Sequence, residues 1–289
     1  LLRPDGSKAE AAFDAKKVSE EVNYLVQKLG LDKDELNALS STGNVALMFD
    51  YDACWALDIQ PQSKAYQYLF WCYRLYEALR ELGLSIDIIS PTSDLSPYKM
   101  LVLPAQVVIN DDLLKALNSF EGVLLAGPRS GSKTADYQIP ENLAPGKLQQ
   151  LMALKVERVD ALPEHTQPNV NGVWGQGKLK HWHEQIGTHL PSLLQDEKGM
   201  PVLVGEGKRF YLAACLETNL LKMCLEKLAE IAEVPTFYLP KGIRVRTRGK
   251  LIFVFNYGQS AAHYAPLNAD CVIGKTCIEP AGVSIWVKS

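Results

Sequence analysis

From Asn44 to about Glu233, short continuous apolar runs alternate with amphipathic stretches. "VALMF" has no polar alternation, which predicts a strand buried on both faces. "SKAYQYLFWCYRLYEALRELG" follows, with Leu69, Cys72, Tyr73, Tyr76 and Leu79 at helical spacing and Gly83 as its stop. "LSIDIIS" and "KMLVLP" read as the next two strands. "NDDLLKALNSFEG" reads as a helix capped by Asn110 or Asp111, and "GVLLAG" as the fourth strand. Such alternation predicts a mostly parallel sheet with helices on both faces. From about Ser132 to Lys208 the pattern is irregular, with Pro, Gly and polar clusters around "VWGQGKLKHWHEQI". "KRFYLAA" then predicts a strand and "NLLKMCLEKLAEIAE" an amphipathic helix. Beyond Pro235, "GIRVRTRGKLIFVFNYG" alternates with period two and "GVSIWVKS" closes the chain, so residues from about 236 to 289 read as a small antiparallel β-sandwich. At the other end, a Pro-Asp-Gly turn precedes a long polar helix from about Ala9 to Leu29.

Composition adds exclusions. The chain has 289 residues, 47% hydrophobic and 22% charged, with a formal net charge of -3. That is the profile of an ordinary globular protein, with no basic excess to suggest nucleic acid or an acidic membrane surface. No apolar run approaches the roughly 18 residues of a membrane span. The chain begins without Met and without a charged-then-apolar leader, which reads as a piece of a longer protein. Six cysteines, Cys54, Cys72, Cys215, Cys224, Cys271 and Cys277, contain no CxxC pair. Three lie in apolar stretches, where a thiol behaves as a small hydrophobe. Reduced thiols in a cytoplasmic protein are the expectation.

Several stretches imitate catalytic motifs. "GPRSGSKT" places Gly127, Lys133 and Thr134 at the offsets of a phosphate loop, and "VALMFD" imitates a magnesium-holding strand. Ser132 stands where the second glycine belongs, and the loop follows the fourth strand of the sheet rather than the first. Gly127-Pro128-Arg129-Ser130-Gly131 also sits where a serine hydrolase or glutamine amidotransferase carries its nucleophile. Ser130 is one place late for G-x-S-x-G, no Cys is near, and His165, His181, His183 and His189 lie in the irregular stretch. "HWHE" (His181 to Glu184) offers two metal ligands but no second cluster to complete a site, so a partly buried, solvated pair of histidines is expected, with neither metal nor cofactor. What remains is polar and aromatic material at the strand ends, where open α/β sheets bind ligands. Tyr51, Asp52 and Trp55 follow the first strand; Arg129 and Lys133 follow the fourth. A Trp beside acids and an Arg suits sugar recognition, and it suits a protein interface equally well.

"VALMFDYDACWALDIQPQ", "GVLLAGPRSGSK" and "APGKLQQLMALKVERVDAL" resemble the middle domain of glycoside hydrolase family 42, the β-galactosidases. "VWGQGKLKHWHEQI" and "MPVLVGEGKRFYLAACLE" resemble the end of that domain. "LPKGIRVRTRGKLIFVFNYG" through "EPAGVSIWVK" resembles the family's small C-terminal β domain, and "LLRPDGSKAEAAFDAKKVSEEVNYL" the last turn and helix of its catalytic barrel.

The resemblance implies three parts: the end of a barrel at 1–40, an amidotransferase-like (flavodoxin-like) trimerisation domain at 41–235, and a small β-sandwich at 236–289. It implies that the glycine-rich loop is the family's "RSG" loop in a fold that has lost its nucleophile. It implies a homotrimer of a β-galactosidase acting on terminal β-galactosides with retention. Retention needs two carboxyls about 5 Å apart; in the family both sit on the barrel, so no catalytic residue is assigned to this chain. The substrate would be bound mainly by that barrel. Tyr51, Asp52, Trp55, Arg129 and Lys133 are the candidate substrate- or interface-lining residues. The alternative is a stand-alone amidotransferase-like domain that binds a small ligand or a partner.

Overall fold

The computed structural model describes residues 1–31 and 43–289. The chain forms two compact units, Thr42–Leu239 and a second that combines Leu1–Ser41 with Pro240–Ser289. The boundary expected at residues 40 and 41 lies outside the described residues.

The larger unit is built on an 11-stranded mixed sheet. Strands β1 (Val45–Met48), β2 (Ile86–Ile89), β3 (Met100–Leu103), β4 (Val123–Ala126) and β10 (Arg209–Leu212) are parallel, in the order β2-β1-β3-β4-β10. Side chains alternate between two cores. Val45 and Leu47 join one with Val102 and Leu125. Ala46 and Met48 join the other with Leu101 and Leu124. Both faces are therefore buried, which is why these strands read as unbroken apolar runs.

Helices α2 (Tyr51–Ile59), α3 (Tyr68–Glu81) and α5 (Thr218–Ile231) cover the first core. Helix α4 (Asp111–Ser119) covers the second. Asn110 caps α4 by accepting a hydrogen bond from Leu113 N at 2.8 Å, a device worth about 1 kcal/mol. Gly83 ends α3 with a φ of 77°. The face α3 buries is Tyr68, Trp71, Cys72, Leu75, Ala78 and Leu79. Leu69 and Tyr73, which fit the same helical spacing in the sequence, point outward.

The expectation of a mostly parallel sheet is corrected by the stretch read as irregular. β5 (Leu154–Ala161), β6 (Asn169–Gly172), β7 (Gly175–Thr188), β8 (Ser192–Asp196), β9 (Pro201–Glu206) and β11 (Ala214–Leu216) extend the sheet in antiparallel fashion beyond β10. Bulges interrupt several of these ladders, between Ala214 and Cys215 and between Val156 and Arg158 among others. A bulge shifts the period-two pattern by one residue, which hides such strands from a reading of alternation.

In the second unit, α1 (Glu10–Leu29) ends at Gly30, whose φ of 64° lets its N–H close on Gln27 and Val26. Strands β12 (Ile243–Arg248), β13 (Leu251–Asn256), β15 (Ala269–Ile273) and β17 (Val283–Lys288) form a four-stranded antiparallel sheet, and β14 (Ala262–His263) pairs with β16 (Cys277–Ile278). These are two separate small antiparallel sheets where the sequence suggested a sandwich. Leu25 of α1 packs with Leu251 and Ile285 on the larger one. Buried Asn256 holds the neighbouring loops by donating to Ser260 O and Ile278 O and accepting from Gly258 N.

Candidate functional site

The C-terminal ends of β1, β3 and β4 meet where the strand order reverses, with β1 and β3 at the switch. Tyr51, Asp52 and Trp55 are not in a loop there. They occupy the first turns of α2, which Asp50 caps by accepting from Asp52 N at 3.0 Å. Only Ala53 and Leu57 of α2 are buried. Tyr51, Trp55 and Ile59, spaced four apart on one stripe, are 66%, 60% and 81% exposed. The Tyr51 and Trp55 rings lie 6.0 Å apart. Leu69, Phe70 and Tyr73 of α3 are also exposed.

The loop after β4 is no phosphate cradle. A cradle needs free N–H groups turned to one point. Here Arg129 N donates to Glu184 Oε1, Gly131 N to Gln106 O, Lys133 N to Val107 O and Thr134 N to Gln138 O. Ser130 N and Ser132 N close turns on Gly127 O and Arg129 O. The glycines serve close approach instead. A Cβ on Gly131, already at φ +62, would stand 1.9 Å from Pro145 O. Lys133 bridges to Val108 and is half-buried, so its backbone is committed to the segment that follows β3.

Arg129 occupies the elbow itself, with a φ of 72°. A non-glycine residue in this region is strained, and such strain gathers at positions the surroundings over-determine. The surroundings here are Glu184, which is 1% exposed. Its Oε1 accepts from Arg129 N at 2.9 Å and Trp182 Nε1 at 3.2 Å, and its Oε2 from Tyr211 OH at 2.6 Å. The Arg129 guanidinium lies 4.9 Å from the Trp182 ring and donates to Gln62 Oε1 at 3.0 Å. Burial pushes the Glu184 carboxyl up from its ordinary value, against the opposing pull of the Tyr211, Arg129 and Trp182 hydrogen bonds. Burial likewise pulls the Arg129 guanidinium down, with Tyr66 and Glu184 opposing.

Of the partly buried, solvated pair of histidines expected in "HWHE", His183 departs by being buried. His181 takes a φ of 60° and is half-buried; His183 is buried at 5% exposure. Burial lowers the pKa of both. His181 Nδ1 and His183 Nε2 have no hydrogen-bond partner among the described residues. Among the described residues no group of three or more His, Cys, Asp or Glu could hold a metal ion, and no helix is long and apolar enough to cross a membrane. The six cysteines are free.

Sequence reading missed Glu184 as a structural centre, together with Gln106 and Gln62. Gln106 donates from Nε2 to Asp50 Oδ2 at 2.6 Å and from its backbone N to Ser130 Oγ at 3.2 Å. Gln62 and Gln106 belong to no motif, and Glu184 stands in "HWHE" only as a neighbour of the two histidines weighed there.

This geometry defines an α/β domain whose strand-end loop after β4 holds a buried arginine, and one of whose exposed features is an aromatic helix face. Residues 43–235 match the family described as the β-galactosidase trimerisation domain, and the chain belongs to that family. It is similar to the β-galactosidase BgaA of a Thermus species, 38% identical over 99% of this chain and 43% of that protein. The crystal structure of a β-galactosidase from the psychrophilic Marinomonas ef1 superposes with a TM-score of 0.95 at 61% identity, covering 100% of this chain and 44% of that one. A β-galactosidase from the Antarctic haloarchaeon Halorubrum lacusprofundi superposes at 0.85 with 26% identity, over 100% of this chain and 44% of its own. The chain therefore spans less than half the length of each of these three relatives.

Proposed function

We propose that this chain is the self-association and C-terminal portion of a β-galactosidase that hydrolyses terminal β-D-galactosides with retention, assembled as a homotrimer in the cytoplasm. The match of a trimerisation-domain family across nearly all of the mixed-sheet unit carries this reading. The catalytic pair of glutamates belongs to a barrel upstream, of which residues 1–40 are the last turn and helix. Residues 41–235 are the trimerisation domain and 236–289 the small C-terminal β domain. Glu184 is no candidate for catalysis, because Tyr211, Trp182 and Arg129 use its oxygens and seal it from any substrate.

The order β2-β1-β3-β4-β10 supports an amidotransferase-like, flavodoxin-like origin for the parallel half. Arg129 then stands in place of the lost nucleophile. The α2 face with Tyr51, Asp52 and Trp55 meets a neighbouring subunit near the mouth of its barrel; Arg129 and Lys133 line the adjoining strand ends. Exposed aromatic side chains on one helical stripe support the assignment, since Trp and Tyr dominate interface energetics. Light scattering of the full-length protein tests it. A mass three times that of one chain is expected, and a monomer would overturn the proposal.

A further inference from the structure

We infer that Glu184 is a positioning residue for α2: from the buried floor of the elbow it fixes, by hydrogen bonds, both ends of the helix that carries the exposed aromatic stripe. One arm runs to the start of the helix. Glu184 Oε1 accepts from Arg129 N at 2.9 Å, and this bond holds the peptide at its positive φ. The next residue, Ser130, accepts from Gln106 N at 3.2 Å; Gln106 Nε2 donates to Asp50 Oδ2 at 2.6 Å; Asp50 caps α2 through Asp52 N at 3.0 Å. The other arm runs to the far end. The same Arg129 sends its guanidinium to Gln62 at 3.0 Å, just beyond Ile59.

The arrangement is a poor choice for core stability alone. A buried carboxylate is costly to desolvate, and well-packed apolar residues often serve as well or better. What an apolar residue cannot do is accept hydrogen bonds at once from the elbow backbone, from an indole and from a phenol. Helix α2 has need of such anchorage. It buries only Ala53 and Leu57, so its own packing holds it weakly. Ser130 and Gln106 are themselves buried, so the connecting bonds are shielded from competing water.

The inference rests on the reading of α2 as an interface only for its purpose, not for its mechanism, and the two are separable by experiment. Hydrogen exchange followed by mass spectrometry on the full-length protein compares wild type with Glu184→Met. Methionine keeps the length of the side chain but has no oxygen to accept from Arg129 N, Trp182 Nε1 or Tyr211 OH. Amides of Tyr51–Ile59 are expected to exchange about tenfold faster or more, with Asp111–Ser119 and Thr218–Ile231 unchanged, because local opening is read segment by segment. Unchanged exchange in α2, or equal acceleration in all three helices, would overturn the inference. Gln106→Ala breaks the link to Asp50, away from β7, and covers the case in which Glu184→Met does not fold. It is expected to loosen α2 alone, and an unaltered α2 overturns the positioning role. If Trp55→Ala leaves assembly intact while these variants still loosen α2, the interface reading fails and the positioning role stands.

Discussion

Replacing Trp55 by alanine separates an interface role from a local one by magnitude. The side chain is 60% exposed on the described chain. An aromatic residue can bury up to about 250 Å², so roughly 150 Å² remains for a partner to cover. At about 25 cal/mol per Å² that area is worth close to 4 kcal/mol, less about 1 kcal/mol for ordering the side chain. Association should therefore weaken by about 2 to 3 kcal/mol per contact, roughly 30- to 150-fold. The folded domain should hardly notice. Losing the Tyr51 ring contact costs about 0.5 kcal/mol or a little more, and alanine returns a similar amount in helix propensity. Sedimentation velocity across a dilution series of the full-length protein, with circular dichroism of the same samples, reads both quantities. A lower-order species at concentrations where wild type is trimeric, with an unchanged melting curve, is the expected result, with a raised Michaelis constant wherever the neighbouring barrel mouth is disturbed. An intact trimer with normal kinetics would refute the interface. A mutant that unfolds would show that Trp55 packs only on its own domain.

Gly131→Ala should destabilise the larger unit by at least about 2 kcal/mol in a urea titration, because its Cβ meets Pro145 O and its backbone stays left-handed; wild-type stability would contradict the close approach. MgATP at millimolar concentration should leave the melting temperature unchanged, since the loop amides are already bonded; a shift of several degrees lost in Lys133→Ala would contradict this. His183 titrates below its ordinary value when folded, so the unfolded chain binds more protons there as pH falls below about 6.5 and stability is lost through that window. His183→Gln should flatten the acid side of the stability curve measured by urea midpoints, and an unchanged slope would remove His183 as its source.

The parallel half was legible because its strands are buried on both faces and its helices carry ordinary signals. Val45–Met48 and Val123–Ala126 are unbroken apolar runs, and Asn110 stands where a cap should. The antiparallel half was not. In β7 the alternation fails at His181, whose left-handed backbone brings Trp182, His183 and Glu184 all into buried positions in succession. Helix α2 hid for the opposite reason: Tyr51, Trp55 and Ile59 point outward and only Ala53 and Leu57 inward, so the stretch has little inward stripe to detect. Glu184 was invisible because its partners are contributed by the fold. Arg129 lies 55 residues away and Tyr211 27, a distance no motif spans. The same isolation makes Arg129 look like a free cation at a strand end, when its backbone and guanidinium are both engaged.

The central claim is that this chain belongs to a β-galactosidase whose catalytic carboxyls lie elsewhere in the protein. Assaying the purified 289-residue chain beside the full-length gene product on an aryl β-galactoside tests it most directly. Turnover by the full-length protein, with the β-anomer of galactose formed first and no turnover by the chain alone, is the predicted result. Hydrolysis by the chain itself, or none by the full-length protein, would contradict it.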